Sequence, residues 1–184
     1  YLFMVPAIAM TMWADERKTG TIELLLTLPV NLRDAILGKY LAAWALIGIA
    51  LCLTFPIWIT ANYLGDPDNG VIFAAYVGSW FMAGAYLAIG ACLSACTKNP
   101  VIAFILTVTI CVIFVLLGYP FLLGMLTGWV PQIIIDAISS MGFLTHFDSI
   151  SKGVFDVRDF LFFGVFIAAW LSASAVVIEL KKAS

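Results

Sequence analysis

The chain alternates between long uncharged runs and short polar punctuation. Residues 40–64 carry no charge, and at about 1.5 Å per helical residue they cover roughly 37 Å, enough to cross a bilayer. Pro56 lies inside this run and predicts a kink rather than an end. "GDPDNG" (65–70) is a tight reversal, followed by a second uncharged run over 71–96. "TKNP" (97–100) reverses the chain again, with Pro100 suited to open a third span over 101–118. The uncharged stretch continues to residue 135, too long for one crossing. Gly118, Pro120, Gly124, Gly128 and Pro131 break its second half. With Tyr119 between the first two, this pattern predicts a broken helical hairpin dipping back into the membrane within an outer region, 119–158. Ile134, Ile138 and Met141 share one face of a predicted interfacial helix. Residues 159–180 form the last span, with Lys181 and Lys182 behind it. Residues 1–12 are apolar but too short to cross, and read as the second half of a span whose first half lies upstream.

Composition agrees with this reading. The chain is 64% hydrophobic and 11% charged, against about 25% charged in soluble domains. The fold class expected is all-α: a polytopic transmembrane helix bundle with about five spans, counting the partial first one. Bases fix its orientation. Arg17, Lys18, Arg33, Lys39, Lys98, Lys181 and Lys182 collect on one side, leaving Lys152 and Arg158 on the other. Positive residues collect in the cytoplasm, so 13–39, the Lys98 turn and the C-terminus are expected there, and Asp66, Asp68 and 119–158 outside.

The one charge-dense stretch, "WADERKTGTIELLLTLPVNLRDAILGK" (13–39), is then a cytoplasmic loop. Asp15 to Lys18 extend the incoming helix into water, and Gly20 suits a left-handed cap. Thr21 suits the cap of a short helix over 22–28, with Glu23 in its first turn and Pro29 as its stop. Asn31 and Asp34 resemble a capping box that opens the next long helix. Ile22, Leu24, Leu25, Leu26 and Leu28 present more apolar surface than one lipid-facing stripe absorbs. Burying four such side chains against a partner gains roughly 6–12 kcal/mol before association costs. The competing reading is an amphipathic helix lying flat on lipid.

"ADERKTGTIELLLTLPVNLRDAILGKYLA" (14–42) and "FLTHFDSISKGVFDVRDFLFF" (143–163) together resemble the permeases of type-2 ABC exporters. More narrowly, they resemble the branch that contains the gliding-motility permease GldF and the nitrous-oxide-reductase maturation permease NosY. The resemblance implies six spans in the complete subunit and a homodimer or heterodimer of permeases. It also implies a bacterial inner-membrane location and a separate ABC ATPase that holds the ATP and Mg. Carried over by position, Gly20, Thr21, Glu23, Leu24, Leu25, Thr27, Leu28 and Pro29 would form or flank a coupling helix docked into that ATPase, with Ile22 on the same short helix. The alternative is a scaffold or mechanotransmitter acting on a periplasmic partner, with Asp148, Lys152, Asp156 and Arg158 as the outer contact.

Other chemistry is missing from the sequence. There is no G-x-x-x-x-G-K-[ST] phosphate loop, so any ATPase must be another chain. No cofactor, metal site or nucleic-acid partner is expected of this one. Cys92 and Cys96 share a helix face without a His or carboxylate to complete a metal site. The single histidine, His146, is expected in an outward loop with Asp148 as a surface partner, not a catalytic dyad. No charge sits mid-span, which disfavours an ion-coupled carrier. Gly84, Ala88, Cys92 and Cys96 form an i+4 ridge, and Ala168–Ser172 and Ala169–Ala173 repeat the spacing; both predict packing within the chain ahead of a dimer seam.

Overall fold

The computed structural model describes residues 1–22, 31–119, 124, 131–153 and 156–182, and among these there are helices and no strand. In chain order they are α1 (Met4–Ala9), α2 (Thr11–Thr19), α3 (Leu32–Cys52), α4 (Phe55–Leu64), α5 (Asn69–Cys96), α6 (Pro100–Leu117), α7 (Gln132–Ser140), α8 (Phe143–Ser151) and α9 (Val157–Lys182). Among the described residues, four stretches are long and apolar enough to cross a membrane: Leu32–Leu64, Asn69–Cys96, Pro100–Leu117 and Val157–Leu180. The pair α7–α8, bent by 66°, reaches the same standard only if taken together. The chain is thus a polytopic helical bundle.

Local sequence explains the ends of these helices. Asp68 caps α5, its Oδ1 accepting from Gly70 N at 2.8 Å and Val71 N at 3.4 Å. Asn99 Oδ1 accepts from Val101 N at 3.0 Å, with Pro100 in the first turn of α6. Pro56 acts as a kink, but the break lies one turn ahead of it, at Leu53–Thr54. Tyr76 on α5 fills the break. Its hydroxyl donates to Thr54 O at 3.1 Å and lies 2.8 Å from the Thr54 hydroxyl. The bend flanks an apolar cavity of about 850 Å³, whose lining includes Gly48, Cys52, Phe55, Trp58 and Trp80.

The core is a single helix, α5. Of its most apolar window 56% is buried, against 6% for Leu32–Leu64. It packs on α1, α2, α3, α6, α8 and α9. Three glycines six residues apart let these neighbours in. A Cβ on Gly78 would meet Ile150 Cγ2 of α8 at 2.8 Å, and one on Gly84 would meet Trp44 Nε1 of α3 at 2.8 Å. A Cβ on Gly90 would collide with Ala9 Cβ of α1 and meet Thr107 Cγ2 of α6 at 3.2 Å. At roughly 100° per residue, six residues turn a helix by about 240°, so the three glycines face three directions about 120° apart.

At the α3–α5 crossing two tryptophans exchange bonds. Trp44 Nε1 donates to Trp80 O at 3.0 Å and Trp80 Nε1 donates to Trp44 O at 3.2 Å, with rings stacked 4.3 Å apart. Each is followed four residues later by a glycine, Gly48 or Gly84, that leaves room for the partner indole. Tyr40 adds a bond from its hydroxyl to Gly84 O at 3.0 Å.

The small-residue expectations divide. Gly84, Ala88 and Cys92 are buried within the chain, while Cys96, next on that ridge, is exposed. Ala168, Ala169 and Ser172 are also exposed, which corrects the prediction for the last span. The reason is that α9 turns another stripe inward, Phe163, Ile167, Leu171, Ser174 and Ile178, so the alanines fall on the far side.

Gly90→Ala is expected to destabilise the protein by about 1–3 kcal/mol through overpacking. Adding Ala9→Gly should recover most of that loss, because it removes the colliding atom. A double-mutant cycle on thermal unfolding in detergent checks this; no recovery would mean that α1 and α5 do not meet there.

Candidate functional site

The charge-dense loop leaves the bundle through α2 and returns through α3. Gly20 ends α2 in the left-handed conformation, φ 76°, where a glycine costs least. Thr21 and Ile22 are helical, and Ile22 is half-buried against the core. The Thr21 hydroxyl lies 2.9 Å from that of Thr19. Glu23, Leu24, Leu25, Thr27, Leu28 and Pro29 lie outside the described residues. Asn31 occupies the N-cap of α3 but makes no capping bond. Its amide donates to Asp34 Oδ2 at 3.0 Å, so the expected capping box is replaced by a side-chain pair.

The two arms of this loop are fastened to each other. Lys39 on α3 makes an ion pair with Glu16 on α2, donates to Met12 O at 3.0 Å and sits 4.3 Å from the centre of the Trp13 ring. Both charged side chains are about three-quarters shielded, with 29% and 27% exposure. Glu16 Oε2 and Trp13 Nε1 are buried with no partner among the described residues.

The α2 arm is also fastened to the end of α5. Arg17 Nη1 donates to Ala95 O. The Ser94 hydroxyl donates to Met10 O at 2.9 Å and accepts from Trp13 N at 3.0 Å and Ala14 N at 2.9 Å. It therefore stands inside the backbone ladder between α1 and α2, which is how a helix tolerates a break at Met10 without orphaned groups. One hydroxyl joins three backbone groups. This neck, built from Glu16, Arg17, Lys39 and Ser94, was not legible in the sequence. Lys39 stands out there only as one of the bases that set orientation, and partners 23 and 78 residues apart leave no periodic signal.

At the opposite end, Gly118 is buried and Tyr119 exposed, and Gly124 is helical and exposed; Pro120 and Gly128 lie outside the described residues. Gly118 meets the α7–α8 corner closely: a Cβ on Gly142 would collide with its backbone, and a Cβ on Gly118 would meet Thr145 Oγ1 at 3.1 Å. Phe143 inserts α8 into the bundle, its ring 5.3 Å from Tyr86, 5.2 Å from Phe114 and 5.0 Å from Phe166. Of the residues expected on the outer surface, Asp148 and Lys152 form an exposed ion pair. Asp156 and Arg158 are exposed too, with Asp156 Oδ1 accepting from Arg158 N at 2.9 Å.

His146 departs from expectation. It lies on α8, not in a loop, and is buried. Its partner is Asp159 on α9, Nδ1 to Oδ1 at 2.6 Å, while Asp148 turns to Lys152. The i and i+2 positions of a helix face different ways, which separates His146 from Asp148.

The architecture defines a multi-pass helical membrane protein with a polar neck at its basic end. The family model of the ABC-2 family transporter proteins matches residues 3–177, so the chain belongs to that family, the membrane component of ABC-type transporters. No curated protein and no solved structure matches it.

Lys39→Met should destabilise the protein more than Glu16→Gln. The first removes three contacts and leaves the Glu16 carboxylate without its charge partner; the second leaves the ammonium on Met12 O and the Trp13 ring. We expect about 1–3 kcal/mol for Lys39→Met and less for Glu16→Gln by thermal unfolding in nanodiscs. The reverse order would remove the carbonyl and ring from the account.

Proposed function

We propose that this chain is the permease subunit of an ATP-driven exporter of the GldF/NosY-like branch, in a bacterial inner membrane, and that its 20–29 segment docks into a separate ABC ATPase. Two permease subunits frame the path, and ATP and Mg stay with the ATPase. ATP binding draws the ATPase pair together, and the apolar helix over 22–28 moves with it. Because Lys39 and Glu16 tie the two arms of the loop to each other, Arg17 and Ser94 tie the α2 arm to α5, and Tyr40 and Trp44 tie the α3 arm to it, the displacement passes into the bundle instead of bending the loop.

The observation that carries this reading is the neck. A loop lying idle on lipid gains nothing from having its two arms joined to each other, and one of them to the central helix, by part-buried charges whose desolvation costs free energy. Family membership over nearly the whole chain supports the same reading.

Leu25→Glu should abolish co-purification of the ATPase while membrane insertion stays intact. Lys39→Met should leave co-purification near the wild-type level and cut ATP-driven transport of labelled solute into vesicles by about tenfold or more, the loss expected when one charged contact is removed. Normal ATPase capture by Leu25→Glu would refute the docking role. Normal docking and ATP turnover with no solute moved by the wild type would transfer the reading to a mechanotransmitter acting on a periplasmic partner.

A further inference from the structure

We infer that His146 and Asp159 form a proton-binding latch that ties the α7–α8 corner to the start of the last span, closed when it holds a proton and weakened when the proton leaves. The site lies at the end opposite the neck and does not depend on the docking reading.

Proton counting carries the argument. His146 Nδ1 lies 2.6 Å from Asp159 Oδ1, and Nε2 lies 2.8 Å from Ser140 O. A carbonyl oxygen only accepts, and so does an ionised carboxylate. Satisfying both ring nitrogens therefore needs one proton more than a neutral imidazole beside a carboxylate supplies. An imidazolium facing a carboxylate and a neutral imidazole facing a protonated Asp159 hold that same proton, and both make two bonds. With the proton gone, either Nδ1 turns a lone pair on Asp159 or Nε2 turns one on Ser140 O. One of the two bonds is lost and becomes a repulsion.

The surroundings raise the stakes. His146 and Asp159 are 8% and 6% exposed, and Asp159 Oδ2 is buried with no partner among the described residues. Phe162 stacks on the imidazole at 4.0 Å.

Other charges do not compete for the proton. On α8, Asp148 and Lys152 are exposed and paired with each other. On α7, Asp136 is exposed and accepts from Gln132. Before and within the first turn of α9, Asp156 and Arg158 are exposed. Neither α5 nor α6 carries an Asp, Glu, Lys, Arg or His; they offer only Tyr76, Tyr86 and cysteines, and Tyr86 packs on Phe143.

The latch acts on a corner with little slack. Thr145 Oγ1 donates to Ser139 O at 2.9 Å, and Gly142 presses on Gly118 at the end of α6. Asp159 thus holds α9 to the point where α6, α7 and α8 converge. Protonation closes that junction and deprotonation loosens it.

Because the chain has one histidine, ¹⁵N-histidine labelling of the full chain in nanodiscs reads the site alone. As the pH is raised, the imidazole signal should pass from the doubly hydrogen-bonded to the neutral form. Hydrogen-exchange protection over residues 142–150, corrected for the intrinsic pH dependence, should fall about tenfold across the same step. Asp159→Asn supplies the sharper test. Its amide can donate to Nδ1 while Nε2–H donates to Ser140 O, so the latch stays shut with a neutral ring. Protection in Asp159→Asn should be high and flat with pH. Wild-type protection that does not change with pH, or an Asp159→Asn variant that keeps the wild-type pH step, would overturn the proposal; the wild-type measurement stands even if the variant fails to fold.

Discussion

Close approach to α5 is the constraint on which the other helices depend. Lipid tails are as apolar as leucine, so burial alone gives transmembrane helices little reason to pair; contact area and interhelical hydrogen bonds do that work. Gly78, Gly84 and Gly90 admit different neighbours on three faces of one helix. Each glycine costs a helix about 1 kcal/mol relative to alanine in water. That cost is offset only if the neighbour comes close enough to use the space. At Gly84 it does: the indole of Trp44 and the hydroxyl of Tyr40 occupy the gap and reach backbone carbonyls that a side chain there would crowd. The Trp44–Trp80 exchange is a hydrogen-bonded contact of the kind a bilayer rewards, since neither indole has water to turn to.

Charged side chains that bind helix to helix gather toward the two ends of this core. Ser94 and Ala95 near one end of α5 receive the neck, and near the other Gly78 packs on Ile150 of α8, the helix that also carries His146. Between them α5 offers neighbouring helices mostly small side chains and backbone. This division follows from solvation. A charged group is cheapest where headgroups and water are near, and costly at mid-depth. The chain uses charge where it can be supported and uses glycine, alanine and tryptophan where it cannot.

Much of this was legible because it is local. The uncharged runs, Pro100 at a helix start and Gly20 after α2 are decided by residues within one turn of each other. The long-range choices were not. Asn31 and Asp34 have the spacing of a capping box, yet the side chains bond one another. His146 is two residues from Asp148 and thirteen from Asp159, and helix geometry selects the distant one. The alanines of the last span have a packing motif, but the larger stripe through Phe163 and Leu171 fills the contact with α5. In each case several sequence-compatible partners exist, and the three-dimensional arrangement selects among them.

Unequal anchoring along the Leu32–Leu64 span completes the mechanical picture. Its first turns are held by Lys39, Tyr40 and Trp44. Beyond Leu53 the backbone ladder is interrupted, Tyr76 substitutes for the missing regularity, and α4 buries no residue. Local stability follows the density of buried contacts. A displacement entering at the neck therefore meets a stiff segment joined to α5 and, past the break, a segment with few contacts to resist it. Pro56 makes that asymmetry permanent, because it has no N–H with which to restore the ladder. The stiff half follows α5; the half beyond the break is the part of the span that can yield.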